Sequence, residues 1–294
     1  MELTVAICTR DRPALLGETL AALSRQTDTD FELVVVDQSR APDPQLSALE
    51  RSGPHTTVIR DSGSGLSRAR NLALRAAAGR WIAFVDDDCL AADDMVESLI
   101  SEIEAHPEAD WVSGDVSAGD TPGSDYLPVT VFPVERPHRR SGRWTIPGRI
   151  GFGVFFAVRR STAEQLGGWD ERLGPGVPDF PAADDMDFNH RLLRAGGVAW
   201  LTPRVRMRHD QWRSSAELVA LQRGYVRAWA AFSMKHLKGG DLLGGLWLWS
   251  WGAIDVFHMT ASGLRHGSSL RLRVALAKLR GLAEGTVMGA RRRW

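Results

Sequence analysis

The sequence contains little cysteine and has no excess of either charge. Its 294 residues include Cys8 and Cys89 as the two cysteines, so a disulfide framework is excluded and each thiol is expected to be a small buried apolar group. Lys+Arg and Asp+Glu both number 36. This balance favours neither nucleic acid nor an acidic partner, so we expect no nucleic-acid partner. Any charged function must therefore be local.

Long apolar runs are also scarce. The N-terminal stretch MELTVAICTRDRP enters a strand-like run without a basic segment or a long apolar segment, so no signal peptide is predicted and a cytoplasmic protein is expected. The apolar run LLGGLWLWSWGAI covers 13 residues. A membrane-spanning helix needs roughly 20, so this run does not predict one.

The first half of the chain alternates strand and helix signals. LTVAIC, FELVVVD, TTVIRD and WIAFV are typical of buried strands, and helical segments separate most of them. This alternation predicts an α/β fold with a Rossmann-like, mostly parallel sheet flanked by helices. In such sheets, ligands bind beyond the carboxyl ends of the strands.

Three further expectations concern local structure. The helix LSRARNLALRAAAG is expected to end with Gly79 as its C-cap, and VAWLTP and VRMRHD are expected to form two short strands. Residues 116–150 are rich in proline and predict a long loop over a site. From about Ala216 onward the patterns are helical.

Three adjacent carboxylates, Asp86, Asp87 and Asp88, directly follow a strand-like run in AFVDDDC. They could serve, with Asp93 and Asp94, to complement a helix that starts near Ala92. However, their mutual repulsion is costly unless a cation or hydrogen-bond donors offset it. A divalent metal held by oxygen ligands would do so, and such metals commonly bind phosphate oxygens of a nucleotide diphosphate. No G-x-x-x-x-G-K-[ST] loop provides another phosphate site.

Two other segments carry candidate residues. The glycine-rich DSGSGLSRARN offers backbone donors with Arg68 and Arg70 at a helix start, although it could equally be a plain loop and N-cap. A second acidic cluster, Asp184, Asp185 and Asp187, falls in the first turn of a predicted helix. There the carboxylates would stabilise the helix dipole even without a catalytic role.

The order of VAICTRDRP, VVVDQS, GLSRARNLALRAAAGRWIAFVDDD, GGWDERLGPG and ADDMDFNHRL resembles the family 2 glycosyltransferases, which are inverting enzymes with the GT-A fold. The resemblance spans about residues 3–210. It implies sugar transfer from a nucleotide donor, commonly a UDP-sugar, to an acceptor. The implied domains are a GT-A domain over 1–215, with nucleotide-sugar binding at about 1–115 and the acceptor side at about 116–215, followed by a C-terminal helical extension over 216–294.

The resemblance also implies roles for single residues. Asp86 and Asp88 match the outer positions of the D-x-D motif, the first nearer the ribose and the last on a Mn²⁺ or Mg²⁺ ion, which His209 would complete. Asp185 matches the base, and Asp184 stands where the family usually has Glu. The residues assigned to the acceptor side are Trp169 and Asp170. Those assigned to nucleotide-sugar binding are Thr9, Arg10, Asp37, Arg68, Arg70 and Asp87.

The implied mechanism is a single displacement. The metal on Asp88, with Arg68 or Arg70, would stabilise the negative charge that develops on the β-phosphate. Asp185 would accept the proton of an acceptor hydroxyl as it attacks C1 of the sugar, which inverts the anomeric centre.

Two rival enzyme classes fit the sequence less well. A phosphotransferase of the haloacid dehalogenase type needs D-x-D-x-[TV], and Leu90 stands at the last position. A nucleotidyltransferase of similar architecture needs a G-x-G-T-R-L type of loop, which CTRDRP lacks. A non-catalytic nucleotide-sugar-binding or scaffolding protein of the same fold remains open.

The C-terminal helices leave the location and the acceptor open. Trp247, Trp249 and Trp251 precede a segment that is distinctly basic from Asp255 to the end. Such helices could lie on a membrane, at the inner face of the cytoplasmic membrane, or pack as a homodimer. The first case favours a lipid-linked or glycan acceptor, and the second a small soluble acceptor.

Overall fold

The computed structural model describes residues 1–50 and 55–294. The described residues divide into two compact units. One comprises 1–120, 128–170 and 188–211, and the other comprises 121–127, 171–187 and 212–294. The strands β1 to β11 are Leu3–Thr9, Phe31–Asp37, Thr56–Arg60, Trp81–Asp86, Cys89–Ala91, Trp111–Ala118, Tyr126–Pro128, His138–Ser141, Phe155–Arg159, Val198–His209 and Trp212–Ser214. The helices α1 to α9 are Pro13–Leu23, Pro44–Leu49, Leu66–Ala76, Met95–Ala105, Arg160–Gln165, Asp184–Arg194, Ser215–Lys238, Leu242–Arg265 and Ser269–Arg291.

The first unit is built on a mixed, mostly parallel sheet. Its strand order is β3-β2-β1-β4-β9-β6-β10-β5, with β8 paired to β10. The β-branched, apolar segments form β1, β2 and β4 because both faces of these strands are covered. The parallel register sets Thr9 beside Asp37 and Cys8 beside Asp86. The ends of three strands therefore meet at one edge of the sheet, and the predicted α/β architecture is confirmed.

The C-terminal half of the sheet departs from the prediction. VAWLTP and VRMRHD form one strand, β10, whose pairing with β6 shifts register between Leu201 and Arg206. Pro203 lies inside this shift and has no N–H to give to the ladder, which explains why the sequence suggested two strands. The continuous strand carries His209 to its far end.

Two other local expectations were wrong. Helix α3 ends at Ala76, and Gly79 lies beyond its C-cap, where a Cβ would be 2.6 Å from the backbone nitrogen of Thr4. Residues 116–150 are not one long loop, because they contain the end of β6, the short strands β7 and β8 and a 3-10 helix at Pro147–Arg149.

The second unit contains α7, α8 and α9, which pack against one another. Ser214 and Glu217 form a capping box at the start of α7, and Asp241 and Ser268 accept backbone N–H groups at the starts of α8 and α9. Among the described residues, no helix has the length and apolar character needed to cross a membrane.

Helices α7 and α9 approach closely through a row of glycines. A Cβ on Gly281 or Gly285 would clash with the carbonyl oxygens of Arg223 or Arg227, and one on Gly289 would lie 2.8 Å from Cα of Ala231. The obstacles are backbone atoms, which cannot move unless the helices separate.

We expect Gly285→Ala to lower the free energy of unfolding by about 1–3 kcal/mol, because overpacking against backbone outweighs the higher helix propensity of alanine. Urea denaturation would measure this loss. The matched control is Gly224→Ala in α7, where a Cβ would meet only Pro181 at 3.5 Å. That variant should gain about 0.5–1 kcal/mol. Equal gains in both variants would show that the glycine row is not a packing requirement.

Candidate active site

The three adjacent aspartates lie where β4 ends. Asp86 is the last residue of this strand, and Asp87 and Asp88 form the turn into β5. Asp87 and Asp88 are both buried. Helix α4 begins only at Met95, and its N-cap residue Asp94 makes no side-chain capping bond. The alternative role of the triple aspartate in complementing that helix therefore receives no support.

The protein supplies its own donors to these carboxylates. Thr9 Oγ1, at the end of β1, donates to Asp87 Oδ2 at 2.7 Å. Arg12 Nη1, just before α1, lies 3.0 Å from Asp87 Oδ1 and 3.1 Å from Asp88 Oδ2. Burial raises the pKa of Asp87, while the hydrogen bond from Thr9 and the charge of Arg12 oppose this rise.

His209 approaches the cluster from the end of β10. Its Nε2 lies 3.2 Å from Asp88 Oδ1, and both side chains are buried. Burial acts to raise the pKa of Asp88, but the close imidazole of His209 and the guanidinium of Arg12 outweigh burial and lower it. The same contact raises the pKa of His209 against the effect of its own burial. The contact thus favours the charged form of each side chain.

Asp86 is held differently from its two neighbours. Burial raises its pKa to about 8, and the charge of Asp88 adds to this rise while Arg70 opposes it. Arg70 is itself buried, donates from Nη2 to the Gly153 carbonyl at 2.6 Å, and lies 3.6 Å from Asp86 Oδ1. Arg12, Arg70 and His209 therefore offset part of the repulsion among the three carboxylates. The charge argument made from the sequence does not by itself require a metal.

Arg12 is a site residue that the sequence analysis missed. The sequence analysis assigned Arg10 of CTRDRP to nucleotide binding and gave no role to Arg12, which lies two residues further on. Its side chain is about half exposed but touches two buried carboxylates. It is the group that links the start of α1 to the turn after β4.

We expect Arg12→Gln to lower the free energy of unfolding in EDTA by about 1–2 kcal/mol, because two buried carboxylates lose a charged donor. Arg25→Gln is the matched control, since Arg25 pairs with Asp93 where both side chains are largely exposed. The control should change stability by less than about 0.5 kcal/mol. If both variants were equally stable, Arg12 would not be a stabilising partner of the cluster.

The other residues predicted for nucleotide binding lie outside the triple aspartate and have partners of their own. Asp37 is buried at the end of β2, where Oδ1 accepts the Ser39 N–H at 2.8 Å and Oδ2 lies 3.4 Å from Arg60. Arg68 forms a two-pronged pair with Asp61, at 2.9 Å for each contact, which lowers the pKa of Asp61 to about 2. Arg10 is partly exposed beside Asp11.

The donor set at β4 and β10 suits a divalent cation. Asp88 offers a carboxylate, with Oδ1 on the His209 side and Oδ2 on the Arg12 side, and His209 offers an imidazole nitrogen. Cys89 lies in the same cluster, but burial holds its pKa well above the ordinary value, so it stays a thiol and is a poor ligand for a hard ion. The predicted pair of Asp88 and His209 is thus brought together by the fold.

The second acidic cluster lies in the other compact unit, at the start of α6. Asp184 is buried and Asp185 is half-buried, with its Oδ1 accepting the Met186 N–H at 2.8 Å. Ala183, just before the helix, has a φ of +70°. A left-handed alanine is a strained backbone that surrounding contacts must enforce, and such residues cluster at functional sites.

Asp187 fixes the start of this helix. Its buried Oδ1 lies 2.7 Å from Lys235 Nζ and 2.9 Å from His236 Nε2, both on α7. This residue therefore serves structure, whereas Asp185 is the accessible member of the cluster. In the loop before this helix, Asp179 pairs with Arg292 at 3.1 Å.

The expectation for Trp169 is corrected by the structure. Its indole is 2 % exposed and stacks on Phe188 with a centroid distance of 4.4 Å, while Phe84 meets it edge-on at 4.9 Å. A ring in this core cannot stack on an acceptor sugar. Asp170, which follows it, is half-buried.

The fold and this site define an α/β protein of the GT-A type, with carboxylates at the end of a central strand. Residues 4–167 match the family model described as Glycosyl transferase family 2. The chain belongs to this family. The match includes Asp86–Asp88 and ends before Asp184, Asp185 and His209. The roles of all these residues stay predictions.

Two relatives illustrate the similarity in sequence. A Haemophilus influenzae protein named an uncharacterized glycosyltransferase is 23% identical over 192 residues, covering 65% of this chain and 62% of the relative. A Mycobacterium bovis protein named a PGL/p-HBAD biosynthesis glycosyltransferase is 32% identical over 118 residues, covering 38% of this chain and 46% of the relative. The chain thus spans less than two thirds of the length of either relative.

Solved structures share the fold over nearly the whole chain. The crystal structure of S. aureus TarS 1-349 matches with a TM-score of 0.57 at 16% identity, covering 99% of this chain and 90% of that one. The complex of TarS 1-349 with UDP-GlcNAc matches with a TM-score of 0.58 at 17% identity and the same coverage.

Proposed function

We propose that the chain is a metal-dependent, inverting glycosyltransferase that moves a sugar from a UDP-sugar to an acceptor hydroxyl. The observation that carries this proposal is the contact between Asp88 and His209. It joins the ends of β4 and β10 beside two further carboxylates. Family membership and the location at the carboxyl edge of the sheet support the same assignment.

The nucleotide side of the site would be formed by the ends of β1 and β2. Thr9, Arg10 and Asp37 are assigned to the base and ribose, and the parallel register places Thr9 directly beside Asp37. The choice of UDP is supported by TarS, which has been crystallised with UDP and with UDP-GlcNAc.

Asp88 and His209 are the residues that would hold a Mn²⁺ or Mg²⁺ ion, with Asp86 and Asp87 toward the nucleotide. A bound divalent ion supplies Lewis-acid stabilisation of the charge that develops on the leaving phosphate. Arg70 orients Asp86 through their 3.6 Å contact. Arg68, paired to Asp61 with its side chain partly exposed, is assigned to phosphate charge at the loop before α3.

The acceptor side would use the start of α6. Asp185 accepts the proton of the acceptor hydroxyl while the hydroxyl oxygen forms a bond to C1 and the bond from C1 to the phosphate oxygen breaks. Asp184 supports it from the neighbouring position, and Asp170 is assigned to the acceptor. One displacement of this kind inverts the anomeric centre and needs no protein nucleophile.

A thermal-shift panel of UDP, GDP, CMP and dTDP with Mn²⁺, Mg²⁺ or EDTA tests the proposal. We expect UDP to stabilise the protein in the presence of metal, and a ligand at 100 times its Kd adds about 2.7 kcal/mol. EDTA should remove this shift. Stabilisation by another nucleotide would overturn the choice of UDP. The absence of a shift with every nucleotide would favour a non-catalytic scaffolding protein of the same fold.

A further inference from the structure

Helix α8 exposes a continuous apolar stripe. Leu243, Leu246, Ile254, Phe257 and Leu264 recur on one side of the helix, and Leu243, Phe257 and Leu264 are exposed by 66 %, 69 % and 69 %. The opposite side of α8 packs on α7 and α9, as shown by the hydrogen bond from Trp229 Nε1 on α7 to the Leu248 carbonyl at 2.7 Å. One side of this helix therefore has no cover from the described chain.

Helix α9 carries a second stripe. Leu272, Leu276, Leu279 and Val287 lie three to eight residues apart and are partly exposed, Leu279 by 51 %. Leu272 lies against Gly263, the neighbour of Leu264, so the two stripes meet where α8 turns into α9. We call the two stripes together the apolar face.

The charge around the apolar face is positive. Arg265, Arg273 and Arg280 are exposed beside its leucines. The acids of the two helices are already neutralised, because Asp255 pairs with Lys278 at 2.7 Å and Glu284 pairs with Arg223. An occupant of this face must therefore be apolar at its centre and negative at its rim.

These properties disfavour a symmetric pair of identical faces. In a two-fold dimer the same patch meets itself, so the arginine rims would face each other without acids to receive them. An anionic bilayer meets both requirements, since its acyl chains accept the leucines and Phe257 while its phosphates accept the arginines. Trp247 and Trp251, half-buried on α8, have the amphipathic rings that favour such an interface.

We propose that the apolar face of α8 and α9 docks on the surface of an anionic lipid bilayer. The helices lie in the plane of the interface, because the sides opposite the apolar face pack against α7. This inference rests on the exposed side chains and their charges and does not depend on the proposed transfer activity.

Vesicle co-sedimentation of the full chain tests the proposal without any variant. Binding to vesicles of phosphatidylcholine mixed with phosphatidylglycerol should be at least about tenfold tighter than to phosphatidylcholine alone. It should weaken when salt is raised from about 0.1 M to about 0.5 M, since screening shortens the reach of the arginines. Equal or absent binding to both vesicles would overturn the proposal.

Two paired variants separate the apolar and the basic contributions. The double variant F257D and L264D should lose at least about tenfold in binding, whereas W144D, an exposed aromatic in the other unit, should bind as the unmodified chain does. R273E with R280E should lose the preference for phosphatidylglycerol, whereas R139E with R140E on β8 should retain it. The replaced side chains are exposed, and circular dichroism melting checks that each variant folds.

Light scattering of the same proteins measures whether the chain is a monomer or a dimer. A monomer that binds anionic vesicles supports the proposal. A dimer that F257D and L264D convert to a monomer would overturn it in favour of a second copy as the occupant, as would unchanged vesicle binding by that variant.

Discussion

Asp185→Asn is expected to leave nucleotide binding intact and to slow sugar transfer by about a hundredfold or more. The amide has nearly the same size as the carboxylate, but it cannot accept the proton of the acceptor hydroxyl. Asp185 is half-buried at the start of α6, so its replacement disturbs little packing. Release of UDP under saturating donor and acceptor measures the rate, and calorimetric titration with UDP measures binding.

The matched control for this variant is Asp179→Asn. Asp179 lies in the same compact unit and pairs with Arg292, where the Asp179 side chain is 56% exposed and that of Arg292 is 31% exposed. Loss of this carboxylate should leave the transfer rate within about twofold of that of the unmodified chain, because ion pairs near the surface contribute little to stability. A full rate with Asp185→Asn would assign the base to another group, with Asp184 as the first to test.

Asp88→Asn should abolish the metal-dependent part of nucleotide binding. Loss of an outer-shell partner of a metal typically costs 10–100-fold in metal affinity, so loss of the ligand itself should cost about 100-fold or more. The variant also leaves His209 without its carboxylate. Titration with UDP in Mn²⁺ and in EDTA should therefore give the same weak affinity.

Asp94→Asn is the control for Asp88→Asn. Asp94 lies close by in sequence, but its carboxylate pairs with Arg206 at the surface. This variant should keep the difference between Mn²⁺ and EDTA. If Asp88→Asn also kept that difference, the ion would be held by other groups, and the assignment of Asp88 and His209 would be wrong.

The central strands of the sheet were predictable from their side chains alone. Continuous β-branched and apolar runs predicted β1, β2 and β4 to within one residue, since a strand buried on both faces needs such residues along its whole length. The sequence predicted two strands in place of β10 because Pro203 cannot donate a hydrogen bond to the ladder. In the structure the strand continues past Pro203, and its pairing with β6 shifts register there.

The site was predictable only in part. The carboxylates of β4 are adjacent in sequence and follow a strand, so their location could be derived, and the pairing of Asp88 with His209 came from the family resemblance. Arg12 was missed because a long side chain reaches partners that are distant in sequence. Trp169 was misplaced because its flanking glycines indicate a turn but do not indicate that its indole enters the core.

The contacts of Asp187 with Lys235 and His236 have a consequence for how such chains can be recombined. Asp187, in the first turn of α6, is held by α7, which lies beyond the residues that match the family model. A chimera that exchanged residues 184–187 alone would leave the half-buried Lys235 and His236 facing whatever residue replaced Asp187. A chimera that is to keep these contacts must therefore exchange residues 184–187 together with the C-terminal helices.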